Sequence, residues 1–260
     1  MTIEVCPQHA LEPFASYDSF ENRRINMTRW VESEQIRTIR DGKLRLMQRN
    51  WGLTSTNFAT TFYGFSENMT NPNAVTAIKA RVRVNALEVG TCAANASSFS
   101  QSRARSIGSF FNMGDVFGPS TPGSLLNDVL GQVRVVRAVN STDPAGVMLV
   151  QGFAAQCTTA DCNAAGVLGS IVDLGKLELG QGATLELQWD KASKTFYFSR
   201  DRGAFAGSTT YTVADQGPSM SPFKQLSTRL DIAACKDRPR VTGMIDATFD
   251  KVSVNASAVP

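Results

Sequence analysis

Polar and apolar residues alternate along most of this chain, and the alternation has a period of two. In 74–89 (AVTAIKARVRVNALEV), Ile78, Ala80, Val82 and Val84 fall on one side and Lys79, Arg81, Arg83 and Asn85 on the other. That is the signature of a strand with one face in a core. The same pattern recurs in 43–48 after the Asp41-Gly42 turn, in 103–112, 128–139 and 147–154, and in 226–232 and 241–254. In 184–190 (TLELQWD), Leu185, Leu187 and Trp189 oppose Glu186, Gln188 and Asp190. A polar turn at 191–194 then leads to 195–200, where Phe196 and Phe198 share a face, so this pair predicts a hairpin. Glycine and proline cluster between these stretches, as in 118–123 and 217–222, and mark loops. Helical periodicity is nearly absent; its longest candidate is the stretch around Trp30 to Arg40. About a dozen strands separated by short turns predict an all-β fold, a sandwich or barrel. No repeat and no linker interrupts the pattern, so the chain divides into an N-terminal arm, 1–13, and one domain, 14–260.

Composition fits this picture. Of the 260 residues, 42% are hydrophobic and 19% charged, which is globular rather than disordered. A formal net charge of +3 is too small to argue for nucleic acid, and no apolar run reaches the ~20 residues of a membrane-spanning helix. The opening MTIEVCPQHALEP lacks a basic region followed by an apolar core, so it does not read as a signal peptide. One reading of Met1 is a start that replaces a removed export signal. Cys157 and Cys162 bracket a short polar loop, CTTADC. With a single histidine in the chain, His9, and no second close cysteine pair, that loop reads as a local disulfide rather than a metal site. Cys92 and Cys235 lie beside strand ends and are the candidate second bridge. Cys6 is left over: free, bound to a partner chain, or lipid-bearing. Disulfides point to an oxidising compartment, hence to an extracellular or cell-surface location. Sequons occur at Asn26, Asn68, Asn95, Asn140 and Asn255, a number chance can supply in such a chain.

The order of landmarks resembles the concanavalin A-like lectin and glucanase superfamily. YDSFE (Tyr17–Glu21), RW (Arg29–Trp30) and DGKLRL (Asp41–Leu46) are similar to its opening strands. WDKASKTFYF (Trp189–Phe198) is similar to the central hairpin of laminin-G-like domains, and DATFDKVSVN (Asp246–Asn255) to the closing strand. The resemblance implies a two-layer antiparallel β-sandwich, a jelly roll, whose last strand lies beside the opening segment. It also implies carbohydrate as a ligand class, and a structural calcium is common in the superfamily. The catalytic branch carries a strand motif E-x-D-x-x-E; the nearest stretch here, Ile245 to Asp250, has no glutamate and belongs to the closing strand. Glu186 and Asp190 share a strand face about 13 Å apart, too far for a retaining or inverting pair. A hydrolase would need carboxylates from different strands.

Other chemistries find no footing. His9 is the only imidazole for a nucleophilic triad, and no phosphate loop, zinc motif or nucleophile elbow appears. The candidate ligand-binding residues are therefore polar strand faces: Arg81 and Arg83; Arg103 and Arg105; Gln132 and Arg134; Glu186 and Gln188. If these share one sheet, guanidinium forks and amides form a surface suited to an acidic glycan. Trp51, in an Asn-Trp-Gly turn, is the candidate aromatic platform at its rim, while Trp30 and Trp189 read as core. The loop 140–146, with Asn140 and Asp143, is the candidate calcium site, set against a plain Asp-Pro turn. A non-catalytic glycan-binding surface protein is thus the leading expectation. A self-assembling structural protein, whose arm pairs with a neighbour's sheet edge, is the second.

Overall fold

The computed structural model describes residues 34–54, 60–92, 99–236 and 240–259. They form thirteen strands: β1 (Glu34–Arg40), β2 (Lys43–Trp51), β3 (Thr60–Asn68), β4 (Ala77–Val89), β5 (Gln101–Asn112), β6 (Asp128–Ala138), β7 (Val147–Cys157), β8 (Ala165–Glu178), β9 (Gly182–Asp190), β10 (Thr195–Arg200), β11 (Phe205–Thr210), β12 (Lys224–Ala233) and β13 (Thr242–Val254). The only helical element among the described residues is one 3₁₀ turn at Ala256–Ala258. Seven strands make one sheet in the order β1-β2-β13-β4-β9-β10-β11, and six make the other in the order β3-β12-β5-β6-β7-β8. Every pairing between these strands is antiparallel; one isolated parallel bridge joins Thr54 to Cys235. The expected two-layer sandwich is present.

Local chemistry explains the elements. Arg40 pairs with Lys43, which leaves Asp41 and Gly42 as a two-residue loop, both with positive φ (52° and 69°). That is the mirror-image turn that matches strand twist and favours Asp-Gly. It makes Glu34–Arg40 a hairpin arm, so the expected helical stretch is a strand where it is described; Trp30, Arg29 and Tyr17–Glu21 lie outside the described residues, as do the arm 1–13 with Cys6 and His9. The hairpin 189–198 forms as expected, with Asp190 opposite Thr195. The closing strand β13 lies between β2 and β4, Phe249 opposite both Leu44 and Val82.

The inward faces of the two sheets meet in one core. Val82, Val84, Val133 and Val135 are all buried there. An aromatic cluster fills the middle: Phe110 sits edge-on to Phe196 at 5.1 Å, and the Trp189 indole N–H donates to the Tyr211 hydroxyl at 3.0 Å. The rings fit because the facing strand gives way: a Cβ added at Gly152 would lie 2.2 Å from Phe198 Cγ. Two disulfides, Cys92–Cys235 and Cys157–Cys162, are formed as expected.

Loop 140–146 is a turn in which Asp143 is already engaged on both its side chain and its carbonyl. Asp143 Oδ1 accepts from Lys176 Nζ at 2.5 Å, and the Asp143 carbonyl accepts from Arg137 at 2.9 Å. Of the sequons, Asn26 and Asn95 fall outside the described residues. Asn255 spends its side chain inside the fold: it accepts from the amides of Thr76 and Ala77 and donates to the Ala74 carbonyl.

Candidate functional site

Strand alternation fixes which side chains leave the core, but register decides which of them meet. In the six-stranded sheet Arg229 of β12 stands opposite Arg103 of β5, and one row along Arg105 of β5 stands opposite Arg134 of β6. Like charges placed directly across from each other oppose sheet formation. Here two such pairs lie in adjacent rows on the outer face of one sheet. They line a groove of about 670 Å³ that runs across it.

One carboxylate answers four guanidiniums on this floor. Asp231 bridges Arg103 and Arg229, each at 2.9 Å, and accepts from Gln101 Nε2 at 2.5 Å. Arg134 bonds Gln151 Oε1 at 2.9 Å and lies 4.7 Å from the Phe153 ring centre; Arg229 lies 4.6 Å from that of Phe62. Among the described residues Arg105 has neutral hydrogen-bond partners only, Ser227 Oγ at 3.1 Å and Gln132 Oε1 at 3.4 Å. It is 7% exposed. Arg103 Nε is buried without an acceptor.

The electrostatics follow from that arrangement. Burial, opposed by Asp231 and reinforced by Arg229, pushes Arg103 down to about 10. Burial and then the charge of Arg103 push Arg134 down to about 9. Arg105 is lowered well below its ordinary value by burial first, then by Arg103 and Arg229. Guanidiniums stay charged at neutral pH, so the groove carries an unbalanced positive field in a poorly solvated place. Burial alone would raise Asp231, but Arg103 and Arg229 bring it below its usual range. Asp161, on the loop closed by the Cys157–Cys162 disulfide, also lines the groove; hydrogen bonds from the Asn163 amide and the Thr159 hydroxyl lower it. That loop reaches across to β12, where Asn163 Oδ1 accepts from Arg229 at 3.4 Å.

The candidates named from sequence do not share one sheet. Arg103, Arg105, Gln132 and Arg134 line this groove, and the first three are buried rather than displayed. Arg81, Arg83, Glu186 and Gln188 belong to β4 and β9 of the other sheet, on the opposite outer face of the sandwich. Arg81 and Arg83 are exposed beside Lys43 and Lys251 around a separate hollow of about 320 Å³. Glu186 is held by Gln188 and by Ser199, and Asp190 caps the turn after β9. Trp51 is 8% exposed at the end of β2 and offers no platform; its carbonyl accepts from the Tyr63 hydroxyl at 2.8 Å. It is buried because β13 and the segment leading into it cover that end, with Thr242 opposite Trp51 and the Val241 carbonyl accepting from Gly52 N.

Arg229, Asp231, Gln101 and the rings of Phe62 and Phe153 were not singled out from sequence. The signal for two of them was present: in 226–232, Ser227, Arg229 and Asp231 oppose Leu226, Leu230 and Ile232. Nothing in that pattern shows that Arg229 will face Arg103.

No family model matches the chain, and no curated protein matches it. Solved structures with a similar arrangement include a variant of family 7 alginate lyase A1-II′ in complex with substrate, at 15% identity and a TM-score of 0.39, covering 85% of this chain and 80% of that one. An alginate lyase from Klebsiella pneumoniae is similar at 12% identity and a TM-score of 0.38, with 85% and 84% covered. A legume lectin-like domain from Entamoeba histolytica is similar at 6% identity and a TM-score of 0.34, with 86% and 89% covered. None reaches a TM-score of 0.5, so the chemistry of the groove is read from its own side chains.

Proposed function

We propose that the groove of the six-stranded sheet binds an acidic glycan, a chain bearing carboxylates or sulfates, and does not turn it over. Arg105 carries this reading: a buried guanidinium with no carboxylate hydrogen-bonded to it among the described residues, set against a second arginine across the sheet. A buried, unpaired charge costs several kcal/mol and is kept only where something offsets it. An anion between Arg105, Arg134 and Arg103 would do so, and guanidinium forks fit carboxylate and sulfate oxygens. The amides of Gln101, Gln132 and Gln225 and the ring of Phe62 line the same groove and suit the hydroxyls and flat faces of sugars.

Binding without hydrolysis is supported by the two carboxylates that line the groove among the described residues, Asp161 and Asp231. Both are held below their usual range and stay ionised, whereas glycoside hydrolysis needs one of its pair protonated. The two disulfides suit an oxidising, extracellular setting. The test is titration calorimetry with polygalacturonate and a sulfated glycan against a neutral β-glucan. The charged polymers should bind, more weakly as salt rises, and Arg134→Ala with Arg229→Ala should reduce affinity at least about tenfold, each lost charged bond being worth about 1.5–3 kcal/mol. Arg81→Ala with Arg83→Ala, on the other sheet, should leave it unchanged. Equal binding of the neutral polymer, or loss of binding only in the Arg81 and Arg83 variant, would refute the assignment.

A further inference from the structure

The groove is not uniform along its strands. One row beyond Arg105 and Arg134, the register places Gln225, Ile107, Gln132 and Phe153 side by side across β12, β5, β6 and β7. One row further, Leu130, Ala155 and Val167 stand together across β6, β7 and β8. At a strand rise of about 3.3 Å per residue, these rows lie about 7 and 13 Å from the arginines. Leu125 and Phe223 close this end, and Cys162 packs with them through the disulfide to Cys157. Val167 is 46% exposed in it.

Between the charged rows and the apolar end stand two amides with hydrogen-bonding capacity to spare. Gln132 uses its oxygen on Arg105, which leaves its Nε2 donor over. The Gln225 side chain has no hydrogen bond among the described residues, although its strand is fully paired on both sides. An apolar hollow beside free amide donors fits a group that is half methyl and half carbonyl. A bare uronate ring leaves both features unused.

We infer that the site is built for an acylated acidic glycan, in which an acetyl or acetamido group on the same or the adjacent sugar enters the apolar end while the acid lies on the arginines. The methyl meets Leu130, Val167 and Leu125, and the acyl carbonyl accepts from Gln132 or Gln225. The disulfide-closed loop is the wall that keeps this end covered. This inference rests on the acidic-glycan reading above, and the experiment separates the two.

The probe is a partly O-acetylated polyuronate, compared with the same sample after mild alkaline deacetylation. Backbone and charge are then identical and only the acyl groups differ. The acetylated sample should bind about ten- to fiftyfold more tightly, the worth of one buried methyl and one hydrogen bond. Val167→Asn with Leu125→Asn should erase that difference and leave the affinity for the deacetylated sample unchanged. Val167 is exposed on the groove surface, whereas Leu125 packs on Ile107, Leu130 and Cys157 outside the main sandwich core, so the variant should melt somewhat below the parent yet remain folded at the assay temperature, as its unchanged affinity for the deacetylated sample reads out. Equal affinity for the two samples overturns the acyl assignment and leaves the anion groove standing. Binding of neither sample overturns both. Equally tight binding of a medium-chain fatty acid, with no acetyl preference, would reassign the apolar end to a hydrocarbon tail and overturn the inference as well.

Discussion

Lys224 shows what this fold does with a charge that has no acid to pair with among the described residues. The side chain points into the sandwich from β12, is 2% exposed, and lies 4.2 Å from the centre of the Phe110 ring. Its ammonium donates to two backbone carbonyls, Pro72 at 3.0 Å and Ser109 at 2.5 Å. It thereby ties the segment before β4 to the middle of the six-stranded sheet. Burial pushes its pKa down to about 8. The unfolded value is 10.5, so between pH 8 and 10.5 the unfolded chain holds a proton that the folded protein has released. The burial penalty of this group is therefore fully present below pH 8 and is relieved as pH rises from 8 to 10.5. The size is about 3 kcal/mol, from about 2.5 pH units at 1.36 kcal/mol each. Chemical denaturation of the parent and of Lys224→Met at pH 8 and pH 10.5 should show the parent gaining about that much relative to the variant. The groove arginines are lowered in the same direction, but they titrate in both proteins and cancel. Parallel pH curves would mean that Lys224 keeps an ordinary pKa in the folded state, its ammonium charged and as well compensated as in water.

At the scale of strands and hairpins, complementarity between the two sheets rests on small residues opposite rings. Gly152 on β7 lies directly beneath Phe198 on β10, with no room for a methyl group. Gly152→Ala should therefore lower stability by about 1–3 kcal/mol, the usual cost of overpacking a filled core, measurable as a shifted denaturation midpoint at unchanged slope. Replacing Gly64, where an added Cβ meets nothing within 4 Å, should cost far less. The two positions also show what the sequence displays and what it hides. Alternation fixes the inward set: Val82 and Val84, Val133 and Val135, Leu185 and Leu187 are apolar at every second position and are buried. Asp41-Gly42 marks a hairpin because only certain residues tolerate positive φ, and the cysteine spacing of 157 and 162 permits a local bridge. Register is not visible in this way. Arg81 and Arg103 sit in equally regular alternations, yet one faces solvent on the seven-stranded sheet and the other lies buried on the six-stranded one. Sheet membership depends on which strands cross over, and that is set by pairings between residues more than a hundred positions apart, such as Arg229 with Arg103. Trp51 fails for a related reason: a tryptophan before a glycine looks like a rim residue until the closing strand is laid over it.

For the molecule as a whole, the groove sets stability against function, and the two can be moved apart. Four guanidiniums share one ion-paired carboxylate, Asp231, and Arg105 makes no direct ion pair with it among the described residues. If the cluster exists to receive an anion, the empty protein is less stable than a neutral version of itself, and the difference returns on binding. Arg105→Met removes the buried charge while keeping a long, flexible chain to fill the space. The variant should be more stable than the parent by about 1–3 kcal/mol, as found when buried charges are exchanged for apolar residues, and should bind acidic glycan weakly. Asp231→Asn does the opposite. It removes the neutralising carboxylate, leaves Arg103 and Arg229 unpaired, and should cost about 3–5 kcal/mol. A ligand at one hundred times its dissociation constant restores about 2.7 kcal/mol to any protein that binds it. An acidic polymer should therefore raise the melting temperature of Asp231→Asn more than that of the parent, because the variant offers the anion one more uncompensated charge. Differential scanning calorimetry with and without the polymer reads all three proteins. A destabilised Arg105→Met would make Arg105 a structural residue whose bonds to Ser227 and Gln132 outweigh its isolation, and the groove would then lose its strongest reason to be an anion site.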